Sequence, residues 1–325
     1  MQAVVLREFG GPEVLRLESV EDPASQGGWV AVALRASALN WHDILVRRGI
    51  YSSALPHVIG ADGAGVRRDT GEEVLVLPSL WWGADESAPA PGWEILGDHH
   101  CGTYAELVRV PAECLAPKPK GLSWEQAAAL PLVGLTTYRA LFTRGRLREG
   151  ETLLVLGAGG GVAAMAVRLA VAVGARVVVT SSSGAKIRQA QEDGATGGVL
   201  YTDDDWPAQA KELSSMGRGF DLVLDSVGSW ADSISALRPG GRLVVLGASR
   251  ADSASVAVRP FFFGQFDLLG TTMGSPRDFA GLLSVMGAHD VAPLPISGTY
   301  ALDRAAEAHA YLEKGSGFGK VVLTH

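Results

Sequence analysis

Hydrophobic and polar positions follow two different rhythms along the 325 residues. Up to about residue 118, apolar positions come in short β-branched runs punctuated by Gly and Pro: Trp29-Val-Ala-Val-Ala-Leu34, Glu73-Val-Leu-Val-Leu77 and Tyr104-Ala-Glu-Leu-Val-Arg-Val110. Such runs predict a region built mainly of strands. Pro117-Lys-Pro-Lys-Gly-Leu-Ser123 then reads as a hinge, and Ser123-Trp-Glu-Gln126 matches a capping box opening a helix into Ala127-Ala-Ala-Leu130. Beyond residue 150 strands and helices alternate. Strands are expected at Thr152–Leu156, Arg176–Thr180, Gly198–Tyr201, Phe220–Asp225, Arg242–Gly247 and Asp267–Thr271, with helices up to Val173, at Lys186–Glu192, at Pro207–Leu213 and near Trp230. This alternation predicts an α/β, doubly wound parallel sheet. An amphipathic helix over Ala301–Lys314 and a strand at Lys320–Leu323 break it, so the last segment is expected to return to the first domain.

The densest signal is Thr152-Leu-Leu-Val-Leu-Gly157-Ala-Gly-Gly-Gly161-Val-Ala163, followed by an apolar run and the strand at Arg176. It reads as strand, glycine turn, helix, strand. Glycine has no Cβ, so the turn can be tight and backbone N–H groups can approach a pyrophosphate at the positive helix N-terminus. The turn aligns as Gly157-x-Gly159-x-x-Val162 or as Gly157-x-x-Gly160-x-x-Ala163; the second keeps a small residue where helix meets strand. Either way, Gly157, Gly160, Gly161 and Val162 are candidates to hold an adenine dinucleotide. About 20 positions on, where NAD-binding sites place an acidic residue, the chain has Thr180-Ser181-Ser182-Ser183 with Lys186 and Arg188 beyond. Hydroxyls and a cation suit a 2′-phosphate that a carboxylate would repel. NADP(H) is therefore expected, with Ser181, Ser182 and Lys186 on the phosphate. Tyr201 either borders the adenosine or is half-buried packing.

Composition narrows the class. Apolar residues make up 47% and charged residues 19%, which suits a compact enzyme of two domains. The net charge of −7 is spread without a basic stripe, so nucleic acid and anionic membrane are poor partners. Only Cys101 and Cys114 occur, too few for a disulfide framework, which favours a reducing, cytoplasmic compartment.

Blocks in a consistent order resemble the medium-chain dehydrogenase/reductase superfamily, specifically its zinc-free, quinone-oxidoreductase-like branch. They are Asn40-Trp-His-Asp43, Gly49-Ile-Tyr51, Ile59-Gly-Ala-Asp-Gly-Ala-Gly65, Gly102-Thr-Tyr-Ala-Glu106, Ala128-Ala-Leu-Pro131, Gly134-Leu-Thr-Thr137, Leu224-Asp-Ser-Val-Gly228, Leu237-Arg-Pro-Gly-Gly-Arg242 and Gly319-Lys-Val-Val-Leu323. The resemblance implies a GroES-like β domain over 1–119 and 272–325, broken by a Rossmann domain over 120–271, with the active site in the cleft. Where zinc members carry Cys, His and Cys, this chain has Asn40, Ala61 and Val133, so no catalytic metal is expected. Asp98-His-His-Cys101 is read as a polar turn, not a metal site.

The resemblance places Asn40, Asp43 and Tyr51 at the reacting centre, where donors must stabilise an oxygen that gains charge during hydride transfer. Asn40 also suits a helix N-cap and Asp43 the third helical position. His42 is expected to point away and Asp62 to be structural. Thr136 is implied at the nicotinamide ribose. Ser226, Val227, Gly247 and Ala248, at carboxyl ends of strands, are expected on the nicotinamide side. Lys320 either reaches the cofactor or is solvated. Trp81, Trp82 and Trp93 either line a pocket or pack, with packing preferred. A homodimer through Phe261-Phe-Phe-Gly-Gln-Phe266 and the following strand is implied. The activity expected is NADPH-dependent reduction of a quinone or an α,β-unsaturated carbonyl compound. The alternatives are a zinc-independent alcohol or ketone reductase and a noncatalytic NADPH-binding structural protein.

Overall fold

The computed structural model describes residues 1–51, 53–251 and 253–325. The chain forms two compact units, Met1–Leu135 with Gly274–Phe279 and Pro293–His325, and Thr136–Met273 with Ala280–Ala292.

The first unit opens with strands β1 (Gln2–Leu6), β2 (Leu15–Ser19), β3 (Trp29–Ala38), β4 (His57–Val58), β5 (Asp62–Arg67), β6 (Glu73–Val76), β7 (Ser79–Leu80), β8 (Glu94–Ile95), β9 (Leu107–Pro111) and β10 (Leu115–Pro117). Helix α1 (Trp41–Arg47) leaves the end of β3, and α2 (Trp124–Ala128) follows the hinge. β1 lies between β2 and β4, and its Ala3, Val4, Val5 and Leu6 are all buried. The strand expected from Tyr104 starts only at Leu107. Tyr104 instead donates its backbone N–H to the Ile59 carbonyl and accepts the Val4 N–H at its own carbonyl, with its ring in the core beside β1. The capping box forms as expected: Gln126 N–H donates to Ser123 Oγ at 3.2 Å, and Ser123 N–H to Gln126 Oε1 at 3.0 Å. Because α2 packs on β3 and β5, this unit runs to Leu135 and does not stop at residue 119.

The second unit carries β11 (Thr152–Val155), β12 (Arg176–Ser181), β13 (Gly197–Leu200), β14 (Phe220–Asp225), β15 (Leu237–Val245) and β16 (Asp267–Gly270), all parallel, in the order β13-β12-β11-β14-β15-β16. This is the two-halved dinucleotide-binding order, with the switch point between β11 and β14. After α3 (Pro131–Tyr138), the intervening helices are α4 (Gly161–Ala172), α5 (Gly184–Glu192), α6 (Trp206–Glu212), α7 (Trp230–Ala236) and α8 (Val258–Phe263). Every residue of β11 is buried, as a strand covered on both faces requires. In α4 the small Ala163, Ala164, Ala166 and Ala170 are buried, so the helix can sit close to the sheet.

The chain then forms α9 (Pro276–Ala288) and re-enters the first unit as β17 (Ile296–Ala301), α10 (Ala305–Glu313) and β18 (Lys320–Thr324). β18 pairs antiparallel with β3 and parallel with β17, completing the order β10-β6-β5-β3-β18-β17 with β9 also on β3. The helix expected from Ala301 begins at Ala305, because Ala301 closes β17 and a single tight turn, Leu302–Arg304, intervenes. β17 escaped the sequence reading because it is a half-exposed edge strand without a β-branched run. Among the described residues, no helix is long and apolar enough to cross a membrane.

Candidate active site

At the start of α1, Asp43 Oδ2 accepts the backbone N–H of Asn40 at 2.7 Å, so both residues hold the helix-start positions that the sequence suggested. The Asn40 amide is committed inward. Its Oδ1 accepts from Lys320 Nζ at 2.6 Å, and its Nδ2 donates to Asp62 Oδ2 at 2.9 Å. Lys320 Nζ also lies 3.0 Å from Asp62 Oδ2, and Asp62 Oδ1 takes the Leu132 N–H at 2.7 Å. With Lys320 3% and Asp62 0% exposed, this is a buried ion pair with its hydrogen bonds filled. Lys320 is therefore not solvated: its ammonium is held by Asn40 and Asp62. Asp62 takes the structural part expected of it.

A second chain of contacts runs from Asp43. Tyr104 OH donates to Asp43 Oδ2 at 3.1 Å, His309 Nε2 sits 3.2 Å from Tyr104 OH, and Arg47 Nη1 sits 3.1 Å from His309 Nδ1. A guanidinium only donates, so His309 Nδ1 accepts and a neutral ring carries its proton on Nε2, toward Tyr104. Burial pushes His309 down to about 3 and keeps it neutral. Burial pushes the Asp43 carboxyl up to about 6, and burial with the Asp43 charge raises the Tyr104 phenol well above its ordinary value. Asp43 is 1% exposed and both its contacts face the core. It holds the start of α1 from within the core.

Tyr51 is 44% exposed, its ring 4.8 Å from that of His42. His42, expected to point away, has Tyr51 as its ring neighbour. The far side of the imidazole is fixed by Asp98, with Nε2 2.6 Å from Oδ1. Burial opposes charge on His42, but the hydrogen bond and charge of Asp98 prevail and raise its pKa above the ordinary value. The segment Asp98–Cys101 thus serves as a polar turn whose first residue orients His42, while His100 hydrogen-bonds Glu94. No local signal could have found the His42–Asp98 pair, because its members are 56 residues apart. The tryptophans pack. Trp82 is buried with Trp93 edge-on at 5.9 Å, and Trp81 and Trp29 flank His100.

In the second unit, Gly157 has φ +83° and its N–H donates to Thr180 Oγ1 at 3.2 Å, tying the turn to the end of β12. Gly160 caps α4 with no side-chain partner, and the first turn of that helix carries no acidic residue. A Cβ at Gly159 would meet the Lys186 side chain, Nζ included, so Lys186 lies over the glycine turn. Ser182 is exposed, whereas Ser181 is buried and its hydroxyl accepts the Ser183 N–H at 3.1 Å. Thr136 is buried with Oγ1 3.6 Å from Met273 Sδ. Ser226 and Val227 sit on a turn closed by Asp225, whose Oδ1 accepts the N–H groups of Val227 and Gly228 at 2.7 and 2.8 Å. Gly247 and Ala248 are exposed beyond the end of β15.

Residues 26–120 match the alcohol dehydrogenase GroES-like domain, and residues 161–288 match the zinc-binding dehydrogenase family. A quinone oxidoreductase of Pseudomonas aeruginosa is 33% identical, with 97% of each chain covered. The chain belongs to the medium-chain dehydrogenase/reductase superfamily. Among solved structures of this superfamily's fold, an NAD-dependent alcohol dehydrogenase matches at TM-score 0.94 and 38% identity over 100% of both chains. A mycobacterial protein complexed with NADPH matches at TM-score 0.85 and 26% identity, again over 100% of both chains. The chain is thus a medium-chain oxidoreductase with a nicotinamide-dinucleotide-binding fold. The residues present fit such a cofactor: the glycine turn leaves backbone N–H groups at the α4 N-terminus open to a pyrophosphate. They do not fit a catalytic zinc. Ala61 and Val133 carry no ligating atom, Asn40 is spent on Lys320 and Asp62, and no His/Cys/Asp/Glu group suited to a metal occurs among the described residues.

Proposed function

We propose that this protein is an NADPH-dependent oxidoreductase that delivers hydride, without zinc, to a quinone or to the β-carbon of an α,β-unsaturated carbonyl compound. The observation that carries the cofactor choice is Lys186 lying over the glycine turn, beside a β12 end that has hydroxyl residues, the exposed Ser182 among them, in place of a carboxylate. A cation and hydroxyls there favour a 2′-phosphate.

The acceptor follows from charge. Hydride added to an isolated carbonyl leaves a localised alkoxide that calls for a Lewis acid or strong hydrogen-bond donors, whereas a quinone or enone spreads that charge over a conjugated system. A donor set without zinc ligands suits the second kind. When bound, the dihydronicotinamide supplies the hydride. The chain's own proton-bearing groups near α1 are the exposed Tyr51 hydroxyl and His42, whose charged form Asp98 favours. Either group, or solvent, delivers the proton that completes the quinol or the saturated ketone. Asn40 and Asp43 serve by holding the start of α1.

Rapid mixing of the protein with NADPH and a panel of quinones and enones tests this: acceptor-dependent loss of the NADPH absorbance is expected, and no oxidation with any acceptor overturns it. The 38% identity to an NAD-dependent alcohol dehydrogenase favours a second reading, an alcohol or ketone reductase. Enones reduced only at the carbonyl carbon would establish that reading.

A cytoplasmic homodimer completes the proposal. β16 is the sheet's edge, with Leu268 exposed, and Phe262 and Phe263 beside it are 50% and 76% exposed. A bare apolar edge is satisfied by a second copy. Light scattering should give twice the chain mass, and Leu268→Lys should halve it.

A further inference from the structure

The loop after β15 is pinned to the end of β14. Arg250 N–H donates to the Val227 carbonyl at 3.0 Å, Ser249 Oγ to the Ser226 carbonyl at 3.4 Å, and Gly228, at φ +90°, lets Ala251 press close. From this anchor the Arg250 side chain reaches the residue that follows β13: its guanidinium carbon is 4.1 Å from the Tyr201 ring centre. In the sheet order, β12 and β11 lie between β13 and β14. Arg250 therefore spans the carboxyl ends of the two strands that carry the glycine turn and the serine cluster. Tyr201 is fixed on the same side, its N–H donating to the Ser181 carbonyl at 3.0 Å.

Arg250 is exposed, and its guanidinium pairs with no carboxylate among the described residues. A guanidinium resting over a ring keeps N–H groups free at its edge, and a planar N–H fork can bind a phosphate through two hydrogen bonds. Exposed Asp203, Asp204 and Asp205 follow Tyr201 and put negative charge beside this end, so a phosphate held there needs a strong local cation.

We propose that Arg250, held over the Tyr201 ring, is a specificity-determining residue that recognises the 2′-phosphate on the cofactor's adenosine ribose. This rests on the NADPH reading above and adds to Lys186 a second cation, supplied from the opposite side of the switch point. Spacing along the sequence does not reveal it, because Arg250 lies 49 positions beyond Tyr201.

Titration calorimetry of NADPH and NADH against the wild type, Arg250→Ala, Arg250→Lys and Lys186→Ala tests it. The wild type should prefer NADPH. Arg250→Ala should weaken NADPH by about 10- to 100-fold, the range for one charge-assisted pair, and NADH by less than about twofold. Unchanged NADH binding shows that the variant is folded. Arg250→Lys, which keeps the charge without the fork, should fall between. Equal weakening of both cofactors would make Arg250 an adenine contact and overturn the proposal. Wild-type selectivity retained in Arg250→Ala but lost in Lys186→Ala would overturn it while leaving the NADPH reading standing. Equal binding of NADPH and NADH by the wild type would overturn both.

Discussion

The two units treat their polar groups in opposite ways. At the start of α1 a set of charged and polar side chains is buried and answered from within: Lys320 by Asp62 and Asn40, Asp43 by the Asn40 N–H and Tyr104, His309 by Tyr104 and Arg47. At the carboxyl ends of the second unit's strands some polar groups stay open. The α4 N-terminus has no side-chain cap, and Ser182 and Arg250 are exposed. Polar groups satisfied at home fix a shape; those left open to solvent are the ones a ligand can use.

The largest effect should come from breaking the closed side. Lys320→Met leaves Asp62 buried without its cation and should cost about 3–5 kcal/mol in urea unfolding. Asp62→Asn with Lys320→Met should cost less than the two single changes added together. Strict additivity would show that the pair is not coupled.

Next is a pair of opposing pH effects. His309 sits at about 3 in the folded chain and near its ordinary value when unfolded, so its contribution to stability is present above about pH 6.5 and is lost as pH falls toward 3. Asp43 sits at about 6 when folded and lower when unfolded, so its ionisation costs stability that returns as pH falls from 6 toward 4. Between pH 6 and 4 the two slopes oppose, each on the order of 1.4 kcal/mol per pH unit. Relative to the wild type, Asp43→Asn should lose stability faster on acidification and His309→Gln should lose it more slowly. Parallel profiles would break the assignment.

On the open side, Lys186→Ala should raise the Kd for NADPH by about 10- to 100-fold, or roughly 1.5–3 kcal/mol, and leave NADH nearly unchanged. No selectivity change would remove Lys186 from the phosphate. The smallest effect is expected at His42. Asp98→Asn withdraws the partner that raises its pKa, so the basic limb of kcat/KM for quinone reduction should move to lower pH. An unmoved limb would leave the proton to Tyr51 or solvent.

The sequence disclosed what is local. The glycine turn, the serine capping box, the places of Asn40 and Asp43 in α1 and the succession of parallel strands all rest on residues a few positions apart. The closed network was illegible because Lys320 lies 280 positions from Asn40 and His309 lies 205 from Tyr104, and nothing in a helix or strand pattern marks such partners. A solvated Lys320 was accordingly one of the readings open to the sequence, and its burial rules that one out. β17 was missed for a different reason: an edge strand half open to water has no apolar alternation to display.

The pairing of Lys320 with Asn40 and Asp62 also dictates an order of events during synthesis. The second unit is drawn almost wholly from the uninterrupted stretch Thr136–Met273 and can assemble as that stretch leaves the ribosome. The first unit has its β1–β10 region made early, yet β3 stays without its β18 neighbour, and the Asp62 carboxylate without its ammonium partner, until more than 180 further residues have been added. The domain begun first is thus the one closed last.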